Sequence, residues 1–106
     1  MTVDILELTT TTETEEQAQE LARQLVRARL AACVQVVGPI HSVYRWQGEI
    51  CESAEFRLTA KSIPQRQASL LDFVKSVHPY QTPEILVHVV QVSEEYGRWL
   101  TEQVSA

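Results

Sequence analysis

Glycine is scarce in this chain, with Gly38, Gly48 and Gly97 the only three among 106 residues. They lie too far apart to form a glycine-rich loop that cradles phosphate, so a nucleotide-binding loop of that kind is excluded. Cysteine is scarcer still. Cys33 and Cys51 have seventeen residues between them, which fits neither a CxxC pair nor a zinc pattern. A copper-chaperone domain of the CxxC type and a secreted disulfide scaffold both drop out. No stretch approaches the ~20 apolar residues a membrane helix needs. No basic segment followed by an apolar run opens the chain, so the expectation is a soluble, cytoplasmic protein.

Basic charge is also short. Nine Lys and Arg face fourteen Asp and Glu, giving a net charge of −5 and a pI near 5.1. The densest basic stretch is Arg27-Ala28-Arg29. Phosphate-backbone affinity comes largely from Lys and Arg, so nucleic acid is a poor partner, and no aromatic RNA-binding motif is present. No Ser or Cys has an evident base partner, which argues against nucleophilic catalysis. What remains is one domain, residues 1–106, with 44% hydrophobic residues to build a core.

The chain is organised around His78-Pro79-Tyr80-Gln81-Thr82-Pro83-Glu84-Ile85. The two prolines fix φ and push His78 and Thr82 toward extended conformations. The stretch therefore reads as a rigid corner between a helix and a strand. It also gathers an imidazole, a phenol, an amide, a hydroxyl and a carboxylate, more chemistry than a turn requires.

Read in order, Val3 to Leu8 predicts a first strand, and Thr9 to Thr14 a hydroxyl-rich turn. Thr12 with Glu15 matches a capping box, and Ala18, Leu21, Ala22, Leu25 and Ala28 keep helical spacing. Cys33 to Val37 predicts a second strand stopped by Gly38-Pro39. Ile40 to Trp46 and Ile50 to Ala60 predict a hairpin about Gln47-Gly48-Glu49, with Phe56, Leu58 and Ala60 on one face. This hairpin outreaches the first strand, so its tip would expose Tyr44, Trp46 and unpaired backbone, a pattern that points to an oligomer. Ser62 with Gln65 suggests a second capping box, leading a helix to Val77 on Ala68, Leu71, Val74 and Val77, widened by Leu70 and Phe73. Ile85 to Val92 is apolar on both faces and predicts a central buried strand. Ser93 caps a last helix, somewhat weakened by Gly97. The order is β-α-β-β-α-β plus a C-terminal helix, an α+β, ferredoxin-like arrangement with an antiparallel sheet.

His78 is the sharpest candidate residue, since imidazole ligates metals and titrates near neutrality. Glu84, six positions on, would share its face across the corner and complete a metal pair. Glu55 and Lys61 share a strand face and suggest an interstrand ion pair or part of a polar pocket. Tyr44, Trp46, Tyr96 and Trp99 read as interface or core anchors. His41 and His88 lie in strands without ligand spacing.

These residues resemble the CutA family of divalent-cation tolerance proteins over nearly the whole chain. The likeness is carried by Leu30-Ala31-Ala32-Cys33-Val34, Ser42-Val43-Tyr44-Arg45-Trp46-Gln47-Gly48, Glu55, Lys61, His78-Pro79-Tyr80, Pro83-Glu84-Ile85, Tyr96 and Trp99. The resemblance implies a tight homotrimer, related in architecture to PII-type signalling proteins, with Tyr44, Trp46 and Trp99 at the interface. It implies a cytoplasmic role in tolerance to copper and other divalent cations, with no catalytic reaction. Family copper ligands have been placed at a Cys after the first strand and at a His-His pair before Pro-Tyr. Those positions here hold Thr10 and Val77-His78, which leaves His78 with Glu84 or with a neighbouring subunit. Imidazole and carboxylate suit Cu(II) or Zn(II). The rival reading is a PII-like sensor taking a small metabolite in intersubunit clefts lined by Lys61, Tyr80, Arg45 and Glu55.

Overall fold

The computed structural model describes residues 1–105. Four strands and three helices follow one another as β1 (Thr2–Thr12), α1 (Glu15–Arg27), β2 (Cys33–Trp46), β3 (Glu49–Ser62), α2 (Gln67–Val77), β4 (Ile85–Ser93) and α3 (Glu94–Val104), with a 3-10 turn at Pro64–Arg66 before α2. The sheet is antiparallel throughout, in the order β2-β3-β1-β4. This is the expected ferredoxin-like fold with its extra C-terminal helix.

Alternation along β1 sorts its residues between two layers. Leu6 and Leu8 join Leu58 and Ala60 of β3, Leu21 and Leu25 of α1, and Leu70 and Val74 of α2 in the main core. Val3 and Ile5 lie on the other side of the strand. There α3 packs across the sheet, and Ile5, Leu100 and Val104 are all buried. Gly97 is buried at this crossing, where a Cβ would run into the side chain of Val3. Its role is close approach of helix to sheet, outweighing the helix propensity it gives up.

Several boundaries differ from the sequence expectation. β1 runs on to Thr12 instead of stopping at Leu8, because Thr9 to Thr12 pair with Thr59 to Phe56 of β3 and are buried there. The cap of α1 is therefore Thr14, not Thr12. Thr14 and Gln17 form the reciprocal capping box, while Thr12 donates to the Thr14 carbonyl at 2.8 Å. Gly38-Pro39 does not end β2; the ladder absorbs it as a bulge between Val37 and Ile40. Ser62 is no cap either. It ends β3, with its hydroxyl buried and without a hydrogen-bond partner among the described residues. On α2 the buried residues are Leu70 and Val74, whereas Ala68 and Val77 face outward. β4 is an edge strand, not a central one: it pairs only with β1, and Leu86 and Val89 remain half exposed.

The last pair between β1 and β3 is Thr12 with Phe56. From Glu49 to Glu55 β3 has only β2 beside it, so residues 40–46 and 49–55 form a two-stranded arm beyond the sheet. Gln47 and Gly48 close it, both at positive φ, as a two-residue hairpin turn requires. The arm exposes Val43, Tyr44, Trp46 and Ile50, the last 68% exposed.

Candidate functional site

The corner after α2 is built from backbone geometry outward. His78 closes the helix with its N–H on the Val74 carbonyl, then turns extended at ψ 134° ahead of Pro79. This places both ring nitrogens against partners. Nδ1 accepts the backbone N–H of Tyr80 at 3.1 Å. Nε2 lies 2.9 Å from Thr10 Oγ1. The Thr10 hydroxyl in turn donates to the Glu84 carbonyl at 2.6 Å. A carbonyl only accepts, so the proton on Thr10 is committed to Glu84 and the His78 proton must sit on Nε2. Burial holds the imidazole below its ordinary pKa of 6.5, against smaller opposing pulls from the Thr11 backbone and the Glu55 charge. The ring is neutral, in one tautomer, with no lone pair free.

Tyr80 continues the network. Its ring lies tilted on His78 at a centroid distance of 5.1 Å, and its hydroxyl donates to Glu55 Oε2 at 2.7 Å. Burial first, then the Glu55 carboxylate, keeps the phenol protonated well above its ordinary value of 10. Glu55 is reachable because β1 has ended one residue earlier in the ladder.

The predicted site residues are thus only partly brought together. His78 and Glu84 meet through Thr10, but the Glu84 partner is its carbonyl, and its side chain is exposed. With both imidazole nitrogens engaged and the exposed Glu84 carboxylate making no hydrogen bond to the corner among the described residues, this pair does not fit a metal centre there. Tyr80 and Glu55 do meet. Lys61 does not pair with Glu55; its ammonium donates to Gln35 Oε1 at 3.0 Å. The two lie six positions apart on β3, about 20 Å of strand. Arg45 is exposed on the arm opposite Ile50, toward the tip, away from Tyr80. A cleft using Lys61, Tyr80, Arg45 and Glu55 together therefore needs more than one copy of the chain. Tyr44, Trp46 and Trp99 are all more than 40% exposed, and Trp99 stacks at a tilt on Tyr96.

Sequence reasoning noted Thr10 only as the occupant of a family ligand position and missed its bond to His78, together with Gln35 and two cross-strand pairs. His41 Nε2 meets Glu52 Oε1 at 2.7 Å on the arm, and His88 Nε2 lies 3.7 Å from Glu7 Oε1 across β1 and β4. Strand register reveals such pairs: Glu7 and His88 are far apart in sequence, and His41 reaches Glu52 only diagonally across the hairpin ladder.

Comparison with known proteins agrees with this architecture. Residues 6–103 match the family model described as CutA1 divalent ion tolerance protein. The divalent-cation tolerance protein CutA of Thermus thermophilus is 42% identical over 93 residues, spanning 87% of this chain and 90% of that one. The structure of CutA from Synechococcus elongatus superposes with a TM-score of 0.93 at 38% identity, covering 99% of this chain and 96% of that one. A structure described as the periplasmic divalent cation tolerance protein CutA from Archaeoglobus fulgidus has a TM-score of 0.91 at 31% identity, covering 95% and 99%. With the family model spanning almost the whole fold, from within β1 to the end of α3, the chain belongs to the CutA1 divalent ion tolerance protein family.

Proposed function

We propose that the chain serves divalent-cation tolerance as a homotrimeric, non-catalytic protein that binds the cation itself, copper or another divalent ion, in the cytoplasm. The assembly is carried by one observation, the arm. Val43, Tyr44, Trp46 and Ile50 lie exposed on a ribbon that has lost its β1 neighbour, and β2 and β4 are both open edges. A ribbon and an edge offered by the same chain make a head-to-tail contact, which closes into a ring when the rotation allows. The family description supports the cation role.

Multi-angle light scattering of the chain and of Trp46→Asp tests the assembly. The reading requires a trimer that the substitution breaks into smaller species, and an unchanged mass would refute the arm as its interface.

A further inference from the structure

A row of four side chains crosses the sheet on the face opposite the main core. Cys33 pairs with Lys61, Lys61 with Glu7, and Glu7 with His88. Directly opposed residues of an antiparallel ladder point to one side and lie close. Glu7 has a side chain only 20% exposed, yet its carboxylate accepts no hydrogen bond among the described residues. The cation placed to neutralise it is Lys61, but the Lys61 ammonium turns the other way, to Gln35 at 3.0 Å. Glu7 is left facing His88, with Nε2 and Oε1 3.7 Å apart.

That distance is too long for a hydrogen bond. It is close to the separation of two donors on one metal ion: bond lengths of about 2.0–2.2 Å at a tetrahedral angle set them roughly 3.4 Å apart. The other cross-strand histidine makes the contrast. His41 and Glu52 are 2.7 Å apart and both largely exposed, a closed hydrogen bond with no room for an ion. The corner imidazole of His78 is closed as well, with both nitrogens engaged.

We propose that Glu7 and His88 form a divalent-cation site, taking Zn(II) or Cu(II) between carboxylate oxygen and imidazole Nε2. The donor pair is the imidazole and carboxylate that suit these ions. No third His, Cys, Asp or Glu joins them among the described residues, so water or a second copy fills the remaining positions. Two protein ligands give modest affinity and fast exchange, which suits an ion taken up as its free level rises and released as it falls. The proposal rests on the reading that the chain binds the cation itself.

The test is titration of metal-stripped full-length protein with zinc chloride, followed by the histidine ring signals in NMR, for wild type, His88→Gln, Glu7→Gln and the control His41→Gln. The site requires saturable movement of the His88 signals with those of His41 and His78 still. It also requires affinity to fall by about tenfold or more in both Glu7→Gln and His88→Gln but not in the control. Should His88→Gln fail to fold, Glu7→Gln carries the test alone. Zinc binding that leaves the His88 signals unmoved, or survives both substitutions, overturns this site and leaves the cation-binding reading standing. The absence of any zinc-dependent change overturns both.

Discussion

Thr10 and His78, sixty-eight residues apart, are joined by a 2.9 Å hydrogen bond that anchors the corner after α2 to β1, one of the two central strands of the sheet. Because the Thr10 proton is committed to Glu84, the bond fixes His78 as the Nε2-protonated tautomer. Thr10→Val keeps the shape and removes both bonds, leaving a half-buried imidazole N–H and a carbonyl unpaired. The expected cost is about 1–3 kcal/mol, read as a lower midpoint in chemical denaturation with the slope unchanged. A midpoint equal to wild type would remove the network from the account of the corner.

Burial of the same imidazole makes stability depend on acid. His78 binds a proton less readily folded than unfolded, so the unfolded state carries more protons once the pH drops below the ordinary imidazole value of 6.5. Its contribution is complete above that pH. It declines below it and is gone once the pH has fallen through the lowered folded value. Thermal melts between pH 7.5 and pH 5 should show wild type losing more stability than His78→Gln. Parallel curves would contradict the assignment.

The Tyr80 phenol should resist deprotonation. In an alkaline absorbance titration, Glu55→Gln should bring the late-ionising phenol earlier, because a charged acceptor and its field are both removed. Tyr80→Phe should delete that step and cost about 1 kcal/mol, toward the low end because water reaches the pair. Burial also raises the Tyr96 phenol, so a late step remains in Tyr80→Phe, and a titration identical in amplitude to wild type would contradict the assignment to Tyr80.

Gly97→Ala should destabilise even though alanine favours helix. The helix gains about 1 kcal/mol of propensity, but the new methyl must displace Val3 and lift α3 from the sheet, at about 1–3 kcal/mol for overpacking. A melting point above wild type would show that α3 has room to move.

The fold was legible in the sequence because hydrophobic period and turn chemistry agreed: helical spacing in Ala18, Leu21 and Leu25, alternation in Phe56, Leu58 and Ala60, and Gln47-Gly48 between two strands. What escaped were places where tertiary pairing overrides local chemistry. Thr9 to Thr12 look like a turn, yet β3 supplies backbone partners that keep them in a strand. Ser62 and Thr12 look like caps, but ladder registers hold them in β3 and β1. β4 reads as central because it is apolar on both faces, yet it is an edge. Within one chain, Leu86 and Val89 stay half exposed. At the corner, the presence of His78 and Tyr80 was readable. Their engagement was not, because Thr10 and Glu55 reach them only through the sheet.

Native mass spectrometry of metal-stripped protein, before and after addition of Cu(II) or Zn(II), tests the central claim most directly, since it reads copy number and bound ions together. The account predicts a species of three 12.0-kDa chains that gains divalent ions in saturable number. A single chain, or a trimer that takes up no ion, would contradict it.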